Sequence, residues 1–171
     1  MAGKQGWVYS IIKSSLIIVV LVSFVEWWQG KDMYKGDINH IFTRTSYQTL
    51  TGKSINFAEL KGNFVLYAFA PWCGVCRMTA SSLNDLDLGD SSVIAVALNW
   101  SSRETVEKFR DDTGMEIPII LGNDRHIRSL GVEGFPSYFI VRDGQVVRSW
   151  PGYTSGSGLK IKYWLSRVIG I

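Results

Sequence analysis

The chain has few of the side chains from which metal centres are built. Among 171 residues it has only two cysteines, Cys73 and Cys76, and two histidines, His40 and His126. A structural zinc site needs four ligands, usually two cysteine pairs or one pair with two closely spaced histidines. Because the two histidines are far apart, we do not predict zinc. Copper(I), which accepts two soft thiolates, stays open as a metal that the cysteine pair could bind.

The chain also lacks a strong surplus of charge, internal repeats and low-complexity tracts. Its formal net charge is +3, and its lysines and arginines are scattered among acidic residues. Nucleic-acid binding requires a basic patch, so we expect no nucleic-acid partner. Since 46% of the residues are hydrophobic and 19% are charged, the composition predicts a folded chain with a mixed core.

Long hydrophobic runs are rare, but one covers residues 7–28 and contains only two charged residues, Lys13 and Glu26. A helix of this length, at about 1.5 Å per residue, spans roughly 33 Å, which is enough for the core of a bilayer. Aromatic residues stand at both ends of the run, as is typical of membrane interfaces. We predict an N-terminal membrane anchor over residues 1–28. A cleaved signal peptide is the alternative, but the residues that follow are bulky and unlike a cleavage site.

The rest of the chain divides into a linker and a regular domain. Residues 29–46 are polar, so we predict a juxtamembrane linker with an edge strand over 38–42. Residues 47–171 then alternate between predicted strands and predicted helices. The predicted strands cover 64–70, 92–100, 117–121, 137–141 and 145–150, and the predicted helices cover 73–85, 103–112, 124–131 and 159–168. This order predicts an α/β fold with a mixed sheet that ends in a hairpin.

The two cysteines form a Cys-x-x-Cys pattern where an apolar strand gives way to a helix. A bridge across two intervening residues closes too small a loop to act as a staple of the fold. At the first turn of a helix, unpaired N–H groups and the helix dipole favour a thiolate at Cys73. We therefore predict a redox site in which an exposed Cys73 attacks and a shielded Cys76 resolves the mixed disulfide.

Three separated stretches of the chain, residues 54–76, 109–121 and 131–147, resemble a known family. The sequence "APWCGVC" after "FVLYAF" resembles the active-site segment of thioredoxins, and "GVEGFPSYFIVRDGQVV" resembles their segment with a cis proline and closing hairpin. The segments "SINFAELKGN" and "FRDDTGMEIPIIL" are more similar to the membrane-anchored bacterial proteins of TlpA, ResA and DsbE type. The nearest subgroup by this resemblance is the ScsD-like (suppressor of copper sensitivity) one. The resemblance covers residues 47–171 and implies a thioredoxin-like fold.

The resemblance also implies roles for five residues. Cys73 would be the nucleophile and Cys76 the resolving thiol. Trp72 would be the aromatic side chain that shapes the docking surface. Pro136 would follow a cis peptide bond beside the disulfide, and the backbone of Phe135 would pair with an extended substrate segment.

The function implied by the resemblance is that of a protein thiol:disulfide oxidoreductase with no cofactor beyond its cysteine pair. Such a protein would be tethered to the bacterial inner membrane with its domain in the periplasm. It would reduce protein disulfides with electrons from a membrane-embedded thiol reductase, and oxidation of protein thiols is the alternative direction. Cytochrome c maturation, copper tolerance and disulfide repair are alternative settings. A copper(I) carrier and a non-catalytic thioredoxin-like binding module are the alternatives from other functional classes.

The sequence departs from the family at two positions that often carry an acid. Tyr67 stands six residues before the first cysteine, and Thr79 stands three residues after the second. A carboxylate at such a position would accept the proton of the resolving thiol. Glu133, three residues before Pro136, is the one candidate that the sequence offers in its place, and a bound water is the alternative.

Overall fold

The structure, a computed structural model, describes residues 2–60, 62–89 and 92–169. The described chain divides into two compact units, one ending at Asp32 and the other beginning at Met33. The first unit is essentially one helix, α1 (Ala2–Gly30). Within the described residues, no helix meets the combined length and hydropathy of a membrane span. The side chains of residues 1–6 and those of Val19, Val22, Ser23, Glu26 and Trp27, all in the predicted anchor, lie outside the described part of the chain.

The second unit is built on a five-stranded mixed sheet with the strand order β5-β4-β3-β6-β7. Its strands are β3 (Asn63–Phe69), β4 (Ser92–Ala97), β5 (Ile119–Leu121), β6 (Ser137–Arg142) and β7 (Gln145–Pro151). β3, β4 and β5 are parallel, whereas β6 and β7 are antiparallel to their neighbours. A separate two-stranded antiparallel sheet joins β1 (Tyr47–Gln48) to β2 (Ser54–Ile55). The predicted mixed sheet and its closing hairpin, β6 and β7, are confirmed.

Four helices complete the second unit. They are α2 (Gly74–Ala80), α3 (Arg103–Thr113), α4 (Asp124–Leu130) and α5 (Gly156–Ile169). α3 and α4 end at Gly114 and Gly131, both in the left-handed conformation, which glycine adopts without the steric cost that a Cβ atom brings. The predicted helix over 73–85 is shorter than expected, because α2 gives way to a 3-10 turn over Ser81–Leu83.

The central strand β3 separates two hydrophobic clusters. Successive side chains of a strand point to opposite faces, and Tyr67 and Phe69 lie in one cluster while Leu66 and Ala68 lie in the other. All four side chains are fully buried. A nearly continuous apolar strand therefore fits its place, since both faces of the sheet are covered. The first cluster also contains both cysteines.

The predicted edge strand over 38–42 is wrong. The chain there forms a 3-10 helix, Ile38–His40, capped by the side chain of Asp37. Ile38, Ile41 and Phe42 are buried, and their spacing of three and four residues places them on one side of a helical turn. Residues 33–46, which we predicted to be part of a linker, thus contribute side chains to the second hydrophobic cluster.

Candidate active site

The cysteine pair lies where β3 gives way to α2. Cys73 is the N-cap residue of α2 and is joined to Cys76 by a disulfide. The backbone N–H of Cys76 donates a hydrogen bond to the Sγ atom of Cys73 at 3.1 Å. In the reduced protein the same N–H group would stabilise a thiolate on Cys73, because a hydrogen bond to the charged form lowers a thiol pKa. The predicted position at the start of a helix is confirmed.

The exposure of the two cysteines differs from the prediction in degree. Cys76 is fully buried, as expected, but Cys73 is only 6% exposed rather than open to solvent. Its sulfur is tied to that of buried Cys76 in the disulfide, and it follows the buried Ala70 and Pro71. The predicted ranking holds, since Cys73 is the more accessible of the two residues.

The segment with the predicted cis proline contacts the active-site segment through two aromatic rings. The rings of Trp72 and Phe135 meet edge to face, with their centroids 5.8 Å apart. Trp72 is 65% exposed, Phe135 is half-buried and Pro136 is buried. The peptide bond between Phe135 and Pro136 is cis, as predicted. The structure thus places Trp72, Phe135 and Pro136 at one site, although they are far apart in sequence.

Behind Cys76, the two positions that lack the family's acids are occupied by a pair of hydroxyl groups. The hydroxyl of Tyr67 lies 2.9 Å from Oγ1 of Thr79 and donates to the carbonyl oxygen of Cys76 at 3.3 Å. Thr79 Oγ1 also donates to that carbonyl at 3.1 Å. Both side chains are buried. Sequence analysis showed that these two positions lack an acid, but only the fold shows that the two side chains contact each other.

The hydroxyl pair does not replace a carboxylate as a proton acceptor. Burial raises the pKa of Tyr67 well above its usual range, so its phenol stays protonated and cannot act as a base at neutral pH. Glu133, the candidate from the sequence, is exposed, whereas Cys76 is fully buried. Among the described residues, no carboxylate forms a hydrogen bond with either cysteine.

Two neighbouring tyrosines allow the hydroxyl pair to be tested. Tyr67 pairs with Tyr138 across β3 and β6, and their ring centroids are 5.3 Å apart. In the described structure the Tyr138 hydroxyl is buried without a hydrogen bond of good geometry, although the Thr79 side chain and the Thr154 backbone lie near enough to act against the rise in its pKa. A hydrogen-bonded hydroxyl stabilises a fold by about 1 kcal/mol, whereas a buried hydroxyl without a partner is a cost.

We therefore expect Tyr67→Phe to lower the free energy of unfolding by about 1 kcal/mol and Tyr138→Phe to leave it unchanged or raise it. Urea denaturation at pH 7 measures both values. Burial raises the pKa of Tyr138 to about 12, so its folded form keeps the proton above pH 10, where the unfolded chain loses it. Stability should thus fall as the pH rises above 10, and less steeply in Tyr138→Phe. Equal destabilisation by both substitutions at pH 7 would contradict this account.

A cleft of about 420 Å³ lies beside the active-site segment, and among the described residues that line it neither cysteine appears. Pro71 and Trp72 line it on the strand side, and Arg77 lines it from the last turn of α2. The opposite wall comes from the loop after β4 and from α3, with Trp100 and Lys108 among its residues. Sequence analysis did not find this cleft, because its walls come from two stretches of the chain, 71–77 and 99–108, that are far apart in sequence.

The described residues contain no group of three or more His, Cys, Asp or Glu side chains that could hold a metal ion. The two sulfurs that copper(I) would need are joined in a disulfide. Thioredoxin-like oxidoreductases use such a disulfide, and no separate cofactor, as their redox centre.

Comparison with solved structures supports the fold. A secreted disulfide oxidoreductase from Mycobacterium tuberculosis, described as homologous to DsbE of E. coli, is 17% identical with a TM-score of 0.60, over 70% of this chain and 93% of its own. A thiol:disulfide interchange protein of the thioredoxin family from Chlorobium tepidum is 20% identical with a TM-score of 0.62, over 70% of this chain and 90% of its own. At this level of identity the likeness establishes the thioredoxin-like fold.

Comparison of sequences gives the family. A thioredoxin-like protein from Haemophilus influenzae is 22% identical over 94% of this chain and 93% of its own length. The family model described as the AhpC/TSA family matches residues 38–150, which include the cysteine pair and the cis proline. Proteins of this thioredoxin-like family act as thiol:disulfide oxidoreductases. The narrower resemblance to the ScsD-like subgroup stays a prediction. The chain belongs to the AhpC/TSA family and has its thioredoxin-like fold.

Proposed function

We propose that this chain is a protein thiol:disulfide oxidoreductase that works through Cys73 and Cys76. One observation carries the proposal. Cys73, the more accessible of the two residues, accepts a backbone N–H bond through its Sγ atom at the start of α2 and is already joined to Cys76. That geometry favours a thiolate on Cys73 in the reduced protein and a ready second thiol beside it.

The reaction begins when the Cys73 thiolate attacks one sulfur of a substrate disulfide. A bond forms between Cys73 and that sulfur, and the other substrate sulfur leaves as a thiolate. Cys76 then loses its proton and attacks Cys73 Sγ, which expels the second substrate thiolate and forms the Cys73–Cys76 disulfide. Two electrons pass from the protein to the substrate.

The proton of Cys76 has no acceptor among the buried side chains around it. We propose that solvent water takes this proton once Cys73 has bound to the substrate. Tyr67 and Thr79 then have a structural part, since both bind the carbonyl oxygen of Cys76 and fix the first turns of α2. The backbone N–H of Cys76 stays directed at Cys73 as a result.

We further propose that the protein acts as a reductant, and that a membrane-embedded thiol reductase supplies its electrons. The resemblance to the TlpA, ResA and DsbE types supports this direction. To test it, the purified chain would be equilibrated with glutathione buffers of graded redox ratio. A reductant should have a potential well below that of strong oxidants. A value near about −120 mV, the range of DsbA-like oxidants, would show that the chain works as an oxidant.

The proposed location is the bacterial inner membrane, with the thioredoxin-like unit in the periplasm. The uncharged run within the 29-residue helix α1 supports an anchor. The absence of cysteines other than the active pair supports a compartment in which disulfides form. Alkaline carbonate extraction of membranes tests the anchor, and release of the chain by carbonate would contradict it. Cytochrome c maturation and copper tolerance are the candidate settings.

A further inference from the structure

We propose that the cleft beside the disulfide binds a segment of the protein substrate that carries an aspartate or glutamate close to its reacting cysteine. The occupant is thus an acidic, extended peptide, and the cleft selects among disulfide substrates. This inference rests on the proposed oxidoreductase function and adds a substrate class to it.

The first argument is position. Pro71 and Trp72 immediately precede Cys73, and Arg77 immediately follows Cys76, and all three line the cleft. A substrate whose sulfur is joined to Cys73 can therefore place a residue near its reacting cysteine in this opening. The volume of about 420 Å³ is within the range of clefts that hold small ligands, and suits a few side chains rather than a folded domain.

The second argument is the state of the two tryptophans. Trp72 Nε1 donates to the carbonyl oxygen of Asn99 at 3.0 Å, and Trp100 Nε1 donates to that of Gly122 at 2.8 Å. Their polar N–H groups are therefore already paired, which leaves the apolar surfaces of the indole rings for a ligand. Asn99 lies in the left-handed region, with φ of 48°, a conformation that asparagine adopts more readily than most residues.

The third argument is charge. Arg77 and Lys108 line the cleft, and among the described residues that line it none is acidic. Asp112 lies behind them and accepts hydrogen bonds from Arg77 at 3.2 Å and from Lys108 at 3.1 Å. The three side chains together carry one net positive charge. The Arg77 guanidinium lies 5.3 Å from the centroid of the Phe109 ring, which helps to hold it in place.

These features fit an acidic peptide better than a basic or a neutral one. A carboxylate can bind Arg77 and Lys108 from the solvent side while Asp112 keeps the two cations together. The aliphatic and aromatic parts of the same peptide can pack on Trp72 and Trp100. A basic peptide would meet like charges at the same position, at a cost in affinity.

The test measures single-turnover reduction of peptide disulfides by the pre-reduced full chain in nonionic detergent. A dithiol reduces the chain beforehand and is then removed, so that two electrons per chain are available. Each substrate pairs a short cysteine peptide with glutathione. The peptides form several series, one for each position from two residues before to three residues after the cysteine. Within a series, that position carries glutamate, glutamine or lysine. Release of thiols is followed at about 20 mM and at 500 mM salt.

At low salt we expect the glutamate peptide to react about five to ten times faster than the glutamine peptide at one or more positions, as suits one or two exposed ion pairs. High salt should reduce the ratio towards one. The ratio should also approach one in the double variant Arg77→Gln/Lys108→Gln. In Asp112→Asn it should rise, because the two cations lose their internal partner. Arg148→Gln and Lys160→Gln replace exposed cations elsewhere and should keep the wild-type ratio.

The outcomes separate this inference from the proposed function. If all peptides are reduced at the same rate at every position, or if the ratio survives the double substitution, the acidic-peptide cleft is wrong while the oxidoreductase function stands. If no peptide disulfide is reduced, the proposed function itself fails. A preference for lysine would also overturn the inference, since it would reverse the charge of the occupant.

Discussion

Replacing Cys73 with serine is expected to bring disulfide exchange down to the rate of buffer alone. The nucleophile in this reaction is a thiolate, and a serine hydroxyl is not ionised at neutral pH and cannot form a disulfide. The measurement is reduction of a protein disulfide by the full chain in detergent, with a dithiol as the electron source. Cys73 is buried, and serine is close to cysteine in size. We therefore expect the fold to survive, and circular dichroism checks this.

The matched variant is Cys76→Ala, which keeps the nucleophile and removes the resolving thiol. It should lose turnover but accumulate mixed disulfides on Cys73, because nothing expels the bound substrate. These adducts should be visible on non-reducing gels of cells that contain the native substrates, and should vanish in Cys73→Ser/Cys76→Ala. If Cys73→Ser kept turnover, or if adducts formed on it, the assignment of the attacking sulfur would be wrong.

Replacing Phe69 with alanine is expected to lower the free energy of unfolding by about 3–5 kcal/mol. Phe69 is fully buried in the central strand. Its ring stacks on that of Tyr67 at 5.7 Å and on that of Phe109 at 4.7 Å between centroids. Truncation would open a cavity between the sheet and α3 that neither neighbour can fill. Since whole domains are stable by only about 5–15 kcal/mol, the urea midpoint should fall sharply.

The control for this prediction is Trp164→Ala in α5, which removes an aromatic side chain that is 60% exposed. Exposed substitutions of this kind usually change stability by less than about 0.5 kcal/mol. Both variants would be measured by urea denaturation of the full chain in nonionic detergent. Similar losses in the two would show that burial of Phe69 against α3 does not contribute as we describe.

Much of the fold could be predicted because its signals are local. The apolar run "FVLYAFA" predicted a strand covered on both faces, and β3 is the central strand of the sheet. Asp143 and Gly144 predicted the turn between β6 and β7. The edge strand predicted over 38–42 was wrong, because short apolar runs fit a strand and a helical turn equally well, and Ile38–His40 is decided by what it packs against.

The functional site was predicted in part. The Cys-x-x-Cys pair predicted the redox chemistry, and the resemblance supplied Trp72, Phe135 and the cis bond before Pro136. The structure confirms the cis bond and brings the rings of Trp72 and Phe135 into contact, while their part in substrate docking stays a prediction. The accessibility of Cys73 was overestimated, because exposure depends on the segments around a residue and not on its own neighbours in sequence.

The sequence by itself determined the redox pair, its place at the start of a helix, and the order of strands and helices along the chain. Each of these follows from residues that are close together in the chain. Only the tertiary structure decided what surrounds the pair. Tyr67 meets Thr79 across 12 positions, and Arg77 meets Asp112 across 35. Such contacts exist only after the sheet has formed and the helices have packed on it. The hydroxyl pair behind Cys76 and the cationic cleft beside Cys73 both depend on them.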